Sequence, residues 1–562
     1  MTRFLNQERL ILILILAAGF CLRIAGAGFG LPDLLHADEP IVVNHALAYG
    51  AGDWNPHFFK IPPLVSYLLF PVYGFYFLIG KLAGIFAGTA DFEMSFYRDP
   101  SPFYLMARIL FGVVLGTATL YFFYRLVRSF FSKTKAVCAA FFLAVGFLHV
   151  RESHYVYVDI PLLLVMMLAF FPILRIAKGE GTLQEHVKAG LFIGLATALK
   201  YNGGALILPY LYASWRGPSA GRILTQWVVS GLTAAFVFFV LNPYALFDFQ
   251  FFWHEIHAEA AAHGGVPWFH HLGFSLAGAM SVPLLFFGLM GLLLSFFESN
   301  RVTRTVAVFA LSYYVILWQW GQPYARYVLP LLPPLFIFAS DVVVQVARSL
   351  PVPRHLAAGF LMFALGLPTA AHSVLFDYVM MQPDVRGLAK DWVENNIPAG
   401  SKIALDSTFY MPRLIMAADQ IREKERTLSA AFHAEIKKRK LNYILQLSQT
   451  RPSYYLYELS DDKLPEGENF LLTKPRLPFD LEALKLAGID YVITVRLREV
   501  DLHQPFYDEL DGKARPLLFL NPYRGNKRQW PYTHPLTGGP FLFQDMVERE
   551  RNGQPLKIFA LE

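Results

Sequence analysis

The first two thirds of the chain are dominated by apolar runs of bilayer-spanning length, and this pattern constrains the fold more than any motif. A transmembrane helix needs about 20 apolar residues. Such runs begin near residues 9, 62, 103, 134, 159, 187, 202, 222, 272, 304, 327 and 355. Only 16% of the residues are charged, against about 25% in soluble domains. The sequence therefore predicts a polytopic α-helical membrane protein.

The basic residues indicate how the spans are oriented. They concentrate in short connectors such as "RIAKGEGTLQEHVK" and "ESNRVTR", which is the positive-inside pattern and not a nucleic-acid-binding patch. We place the N-terminus in the cytoplasm and treat the first apolar run as a retained span. Every basic connector then lies on the cytoplasmic side if segment 62–83 makes no net crossing. About eleven transmembrane helices result, with one large external loop over 30–102. The pattern suits a bacterial inner membrane, in which external means periplasmic.

The last third of the chain is polar enough to form a soluble domain. We place it at 380–562, after a transmembrane domain at 1–379, and the topology puts it in the periplasm. The stretch "VRGLAKDWVENNIPAGSKIALDS" predicts a helix, a turn and a strand. The stretch "LEALKLAGIDYVITV" predicts the same succession. The domain is therefore expected to be α/β.

Ionisable residues lie near the ends of predicted spans on the external side only: Asp38, Glu39, Asp159, Lys200 and Arg326. Such residues at membrane depth are costly and usually functional. Ordinary alternatives stay open, because Asp38 and Asp159 suit helix N-caps and Lys200 and Arg326 suit snorkelling to the interface. The two segments on either side of Lys200 are each short for a span, as in broken helices that line a cavity. The convergence on one membrane face favours a functional site.

Two further polar stretches have less specific patterns. The histidines from His257 through His263 to His271 lack a fixed metal-ligand spacing, so no metal site is predicted, although a divalent metal stays possible. The charged "RESH" at 151–154 fits a solvated turn.

The order of five motifs carries a family resemblance. "HADEP", "GDWNPHFFKIPPL", "HVRESHYVYVDIPLLL", "GLATALKYNG" and "RYVLPLLPPL" together resemble the GT-C glycosyltransferases, and within them the protein O-mannosyltransferase and aminoarabinose (lipid A) transferase superfamily. The likeness covers roughly residues 8–375. It implies the GT-C fold, a polyprenyl-phosphate-linked monosaccharide donor, and an acceptor at the external face. The acceptor stays open among a protein, a lipid A-like glycolipid and a surface glycan.

The resemblance implies that three carboxylates are catalytic. Asp38 matches the loop-one acidic residue that acts on the acceptor, with Glu39 beside it, and Asp159 matches the second carboxylate. Sugar transfer with inversion is a single displacement, in which a base takes a proton from the incoming nucleophile. The pKa of an Asp is normally about 3.9, and a second carboxylate beside it in a partly desolvated loop is expected to raise that value.

The resemblance also implies how the donor is held. Lys60 matches the basic residue that meets the lipid phosphate, and Lys200 and Arg326 stand where further phosphate partners are expected. Because the leaving group is an anion, these cations stabilise it without an acid catalyst. Polar and aromatic residues of the same motifs are expected along the substrate cleft: His57, His154, Tyr155, Tyr201 and Tyr327.

Departures from the family and competing functions narrow the interpretation. The chain has no second large external insertion of the kind common in protein-glycosylating mannosyltransferases. It also has no WWD motif of the oligosaccharyltransferases, which argues against transfer of a whole glycan to Asn. A flippase or transporter of a lipid-linked sugar often shows internal repeats, and none is evident here. A receptor or scaffold is expected to tolerate neutralisation of both Asp38 and Asp159.

Overall fold

A computed structural model describes residues 2–215, 220–261, 265–321, 323–406, 410–427, 434–460, 474–496, 500–525 and 541–561. The chain divides into two compact units. The first comprises Met1–Ala27, Asp38–Tyr76 and Phe103–Asp377, and the second comprises Gly28–Ala37, Phe77–Pro102 and Tyr378–Glu562.

The regular secondary structure of the described residues up to residue 381 is helical. Their bounds are α1 (Thr2–Ile24), α2 (Glu39–Ala48), α3 (Leu64–Leu82), α4 (Thr89–Arg98), α5 (Ser101–Ala107), α6 (Leu115–Phe130), α7 (Lys133–Val145), α8 (Phe147–Glu152), α9 (Asp159–Lys178), α10 (Leu183–Leu199), α11 (Ile207–Ser214), α12 (Ala220–Leu241), α13 (Tyr244–Phe247), α14 (Phe249–Ala261), α15 (Ala277–Met280), α16 (Val282–Leu294), α17 (Arg301–Trp320), α18 (Leu332–Ser349) and α19 (Arg354–Met381). Short 3₁₀ segments cover Tyr49–Ala51, Tyr201–Leu206 and Ala325–Leu331, and π-helical segments cover Arg108–Val114 and His271–Leu276.

The predicted fold class is confirmed, with a different number of candidate spans. Among the described residues, seven helical stretches are long and apolar enough to cross a membrane, and an eighth is reached if the pair His271–Met280 and Val282–Leu294, bent by 115°, forms one span. About eleven spans were expected. Helices α7, α10 and α11 are each shorter than a full span, which accounts for part of the difference. Segment 62–83 is helical as α3 and is long enough to span, so its predicted lack of a net crossing stays a prediction.

The core of the first unit lies around α18 and α9. The stretch Ala325–Ser349, which contains α18, is buried throughout its most apolar window, and α18 packs between α7 and α16. Helix α9 packs between α6 and α10. A helix that is apolar on all sides is expected inside a bundle. By contrast, only 11% of the corresponding window of Gly221–Leu241 is buried, so most of α12 faces outward.

The described residues of the second unit form a six-stranded mixed sheet, as the predicted α/β domain requires. Its strands are β1 (Lys402–Leu405), β2 (Tyr455–Leu459), β3 (Arg476–Leu477), β4 (Tyr491–Thr494), β5 (Arg515–Leu520) and β6 (Leu556–Ala560), in the order β3-β2-β1-β4-β6-β5. Strands β1 to β4 are parallel to one another, and β6 runs antiparallel to both β4 and β5.

Helices cover both faces of this sheet. They are α20 (Val385–Asn396), α21 (Ala418–Thr427), α22 (Ala434–Thr450), α23 (Leu481–Leu486), α24 (Val500–Lys513) and α25 (Phe543–Glu548). Ile403 and Leu405 pack with α20 to α22, whereas Ala404 packs with α23 and α24, as the alternation of side chains along a strand requires. Both predicted helix–turn–strand units are present, and Gly400 and Gly488 supply their turns with φ values of 85° and 67°.

Parts of the predicted external loop belong to this second unit. Lys390 on α20 pairs with Asp33 at 2.7 Å, and Arg386 donates to the Leu35 carbonyl at 2.9 Å. Arg439 on α22 pairs with Glu93 on α4 at 2.9 Å. The loop segments before α2 and after α3 are therefore held by polar contacts to the C-terminal sheet domain.

Candidate active site

Asp38 pairs with Arg326, which lies 288 residues further along the chain. Asp38 occupies the N-cap position of α2, yet its side chain makes no capping hydrogen bond. Instead Nη1 of Arg326 donates to Oδ2 of Asp38, and the two side chains are 19% and 27% exposed. The guanidinium of Arg326 also lies over the Tyr157 ring, with 4.8 Å between Cζ and the ring centroid. The Asp38 side chain therefore does not act as a helix cap. The Arg326 side chain is held by these contacts and does not simply extend to the membrane interface.

Asp159 and Lys200 form a second, buried pair. Asp159 is the first residue of α9, and Nζ of Lys200 donates to its Oδ1 at 2.7 Å, with both side chains no more than 4% exposed. Lys200 stands in the break between α10 and a 3₁₀ segment, where its backbone is extended with φ −158° and ψ 135°. The predicted interruption at Lys200 is confirmed, and snorkelling is the wrong interpretation for this lysine. Oδ2 of Asp159 is buried and has no hydrogen-bond partner among the described residues.

The ring of Tyr327 joins the two pairs. Nζ of Lys200 lies 4.0 Å from its centroid, and Cζ of Arg326 lies 6.0 Å from it. A hydrogen-bond chain fixes this arrangement, since Asn202 donates to the Tyr313 hydroxyl at 2.6 Å and Tyr313 donates to the Tyr327 carbonyl at 3.1 Å. We call Asp38, Arg326, Asp159, Lys200 and Tyr327 the charged cluster.

Glu39 is oriented away from the charged cluster and has its own partner. It is fully buried and forms a bidentate pair with Arg108, with distances of 2.7 and 2.6 Å. The Val156 backbone N–H also donates to Glu39 at 3.0 Å. Successive helix residues differ in direction by about 100°, which explains why neighbours in sequence face different partners. The expectation that Glu39 raises the pKa of Asp38 is thus not supported, because Arg108 neutralises the Glu39 carboxylate.

Two charged residues of the site escaped the sequence reasoning. Arg151 and Glu152 pair with each other and are 3% and 6% exposed, so "RESH" is not the solvated turn that was expected. Burial raises the pKa of Glu152 above its usual value, although the neighbouring cations Arg151, Arg326 and Lys200 act in the opposite direction. Their position just before Asp159 in the same connector was the available signal.

Lys60 and His57 lie outside the charged cluster. Lys60 is exposed, and the structure gives it no hydrogen bond or ion pair with another described residue. Its neighbour Phe59 accepts a hydrogen bond from the Tyr201 hydroxyl at 2.7 Å, which brings the Lys60 segment beside the residue after Lys200. Nε2 of His57 lies 3.2 Å from Oδ2 of Asp53, within a loop whose Asn55 caps the His57 N–H.

His154 and Tyr155 are buried in the surrounding structure and do not line an open cleft. His154 is fully buried, with Nε2 2.6 Å from the Ala25 carbonyl oxygen and 3.3 Å from a carboxylate oxygen of Asp377. Tyr155 is 3% exposed and stacks under Arg151 at 6.0 Å. Both residues therefore support the connector that carries Glu152.

The histidine-rich stretch has partners of other kinds. His257 and His270 contact the backbone carbonyls of Trp253 and Pro323, and His271 contacts the Ser275 hydroxyl. His263 lies outside the described residues. Among the residues that the structure describes, no group of three His, Cys, Asp or Glu side chains is arranged to hold a metal ion.

Residues 104–244 match the family model described as dolichyl-phosphate-mannose-protein mannosyltransferase. The predicted family resemblance is confirmed. The matched segment includes Arg108, Glu152, Asp159 and Lys200. The match covers about a quarter of the chain and supports a glycosyltransferase. A comparison with curated proteins gives no match.

Three solved structures with a similar chain path are distant from this chain in sequence. An oligosaccharyltransferase of Archaeoglobus fulgidus has 12% identity and a TM-score of 0.47, over 93% of this chain and 75% of that one. ArnT of Cupriavidus metallidurans, bound to undecaprenyl phosphate, has 13% identity and a TM-score of 0.46, over 97% of each chain. The O-mannosyltransferase complex Pmt1-Pmt2 of S. cerevisiae, bound to a sugar donor, has 21% identity and a TM-score of 0.33, over 44% of this chain and 34% of that one. At these values no substrate and no residue role is transferred to this chain.

Proposed function

We propose that the protein is an integral-membrane, inverting glycosyltransferase that moves a monosaccharide from a polyprenyl-phosphate-linked donor to an acceptor at the external face of the membrane. The observation that carries this proposal is the charged cluster, in which two carboxylate–cation pairs meet at one tyrosine ring. The family match over 104–244 supports sugar transfer as the chemistry.

The cations of the cluster are suited to the leaving phosphate. Arg326 offers a planar fork of donors that fits phosphate oxygens, and Lys200 offers a compact point charge. Each is already held by one carboxylate, so a donor phosphate competes with Asp38 and Asp159 for them. Because Lys200 is almost fully buried, its attraction for a phosphate is weakly screened by water.

This competition couples donor binding to base catalysis. While Arg326 pairs with Asp38, the carboxylate has a cationic partner and is a poor proton acceptor. Once Arg326 turns to the donor phosphate, Asp38 becomes available to take the proton of the incoming hydroxyl or amine. The nucleophile then forms a bond to the anomeric carbon as the carbon–oxygen bond to the phosphate breaks. The Glu39–Arg108 pair positions the start of α2, and therefore Asp38, throughout the reaction.

The remaining features of the proposal follow from the sequence. The acceptor is a protein, a lipid A-like glycolipid or a surface glycan, and the membrane is a bacterial inner membrane. The N-terminus is cytoplasmic and the domain at 380–562 is periplasmic. Lys60, exposed beside the Tyr201 contact, is a further phosphate contact for the donor. No metal enters this mechanism.

The test uses full-length protein in detergent with radiolabelled polyprenyl-phosphate sugars and a membrane extract as the source of acceptor. Wild type is compared with Asp38→Asn and with the control Asp91→Asn, which neutralises a half-buried carboxylate in the first turn of α4. Wild type and Asp91→Asn should release polyprenyl phosphate and transfer the label, and Asp38→Asn should lose at least a hundredfold in rate.

Two outcomes would contradict the proposal. If wild type binds a donor without turnover in any extract, and Asp38→Asn binds it equally, a flippase is favoured. If none of the three proteins binds a donor, the chain shares only the fold of its relatives.

A further inference from the structure

A groove with a basic rim and an apolar floor lies at the end of α6, α9 and α10 that is remote from the charged cluster. Its volume is about 500 Å³. Its floor consists of half-buried apolar side chains from all three helices, namely Phe122, Leu168, Phe171 and Phe192. Because α6 and α9 are parts of candidate spans, the groove opens on the membrane-spanning surface.

The rim of the groove carries more positive than negative charge. Arg175 and Lys188 both donate to one oxygen of Glu185, at 3.2 and 3.0 Å, and their side chains remain 48% and 41% exposed. Arg125 donates to the Tyr121 hydroxyl at 2.9 Å, which leaves its charge uncompensated by that contact. The lining of the groove therefore contains three cations and one carboxylate.

The groove is separate from the proposed donor site. Asp159 begins α9 and Arg175 lies in its last turn, so the two ends are about 24 Å apart at the 1.5 Å rise of a helix. The loops at this end include the predicted cytoplasmic connector between α9 and α10. The charge at the rim is therefore not needed to bind the phosphate of a donor in the charged cluster.

We propose that this groove binds an anionic phospholipid, with the phosphate headgroup at the basic rim and an acyl chain along the apolar floor. Basic pockets between transmembrane helices on the cytoplasmic side suit such headgroups. A soluble anion would use the rim but not the floor, and an uncharged lipid would use the floor but not the rim. Only an amphiphile with a negative headgroup uses both parts of the groove.

The test is native mass spectrometry of the full chain, titrated with phosphatidylglycerol and, separately, with phosphatidylcholine. Phosphatidylglycerol should bind at least tenfold more tightly. The variant Arg125→Gln/Arg175→Gln/Lys188→Gln should lose this preference, because its affinity for phosphatidylglycerol should fall roughly fivefold for each cation removed. The matched control is Arg222→Gln/Arg304→Gln/Arg354→Gln, which removes three exposed cations from other predicted cytoplasmic connectors and should leave binding within twofold.

A second variant tests the charge balance in the opposite direction. Glu185→Gln releases Arg175 and Lys188 from their shared carboxylate and should tighten phosphatidylglycerol binding about fivefold. If the triple variant fails to fold, Glu185→Gln still tests whether the charge at the rim controls phosphatidylglycerol binding. Equal losses in the two triple variants would assign binding to diffuse attraction and overturn the proposal. Equal competition by glycerol phosphate, or no tightening in Glu185→Gln, would overturn it as well.

Discussion

Neutralising Glu39 should destabilise the first unit more than any exposed charge substitution, because Glu39 is the carboxylate partner of a fully buried arginine. Arg108 has no exposed surface, and two of its nitrogens lie 2.7 and 2.6 Å from the Glu39 carboxylate. Its Nη1 donates to the Ala27 carbonyl at 2.8 Å, which does not neutralise the charge. Removing one partner of such a pair costs about 3–5 kcal/mol, since the other charge stays buried and uncompensated. Glu39→Gln should therefore lower the unfolding free energy by about this amount.

The assay is thermal unfolding of the full chain in detergent, arranged as a double-mutant cycle. Glu39→Gln/Arg108→Gln removes both charges and should be more stable than Glu39→Gln alone, by at least about 2 kcal/mol. The control is Glu93→Gln, whose partner Arg439 is 50% exposed. Such a surface pair contributes about 0.2–1 kcal/mol. The reasoning is refuted if Glu39→Gln unfolds like Glu93→Gln, or if the double variant is the least stable of the set.

Three further predictions concern the second unit, the turn after α10 and helix α17. Burial raises the pKa of Asp406 to about 6, so this group binds more protons in the folded state and its contribution to stability falls as pH rises from about 4 to about 6. Between about pH 4 and about pH 6 the unfolding free energy of wild type should fall by about 2 kcal/mol relative to that of Asp406→Asn, and a difference that does not depend on pH would contradict the assignment. A Cβ at Gly203 would lie 2.4 Å from backbone atoms of α10, whereas a Cβ at Gly204 would have its nearest neighbour at 3.6 Å. Gly203→Ala should therefore lower both the unfolding midpoint and the rate of donor turnover. Equal effects of Gly204→Ala would refute this prediction. Tyr313→Phe should lower the unfolding free energy by about 1–3 kcal/mol because it leaves buried polar groups unpaired. In the same assay Tyr314→Phe, which removes an exposed hydrogen bond, should lower it by less than about 1 kcal/mol.

Local patterns in the sequence were sufficient for the helices and for the α/β domain. Each predicted apolar run contains a helix, and Gly400 and Gly488 lie where the predicted turns require positive φ. The number of spans could not be predicted as well, because it depends on where helices break. The break at Lys200 was predicted, whereas the division of the run near residue 272 by a 115° bend was not.

The pairing of the charges was beyond the reach of the sequence. Asp38 and Arg326 were each named as candidates, but they are 288 residues apart, and only the packed bundle decides which cation faces which carboxylate. The same holds for Glu39. Its position next to Asp38 in the sequence suggested a pair of carboxylates, but in the folded chain its partner is Arg108. Arg108 itself could have been found, since an arginine inside an apolar run needs a buried partner.

The exchange of partners at Arg326 is the central claim, and affinity for polyprenyl phosphate tests it most directly. Binding to wild type, Asp38→Asn and Lys200→Gln should be measured in detergent by the same titration. Asp38→Asn should bind as tightly as wild type or more tightly, because it removes the competitor for Arg326, while Lys200→Gln should bind at least tenfold more weakly. Weakening in Asp38→Asn equal to that in Lys200→Gln, or unchanged binding in Lys200→Gln, would contradict the account.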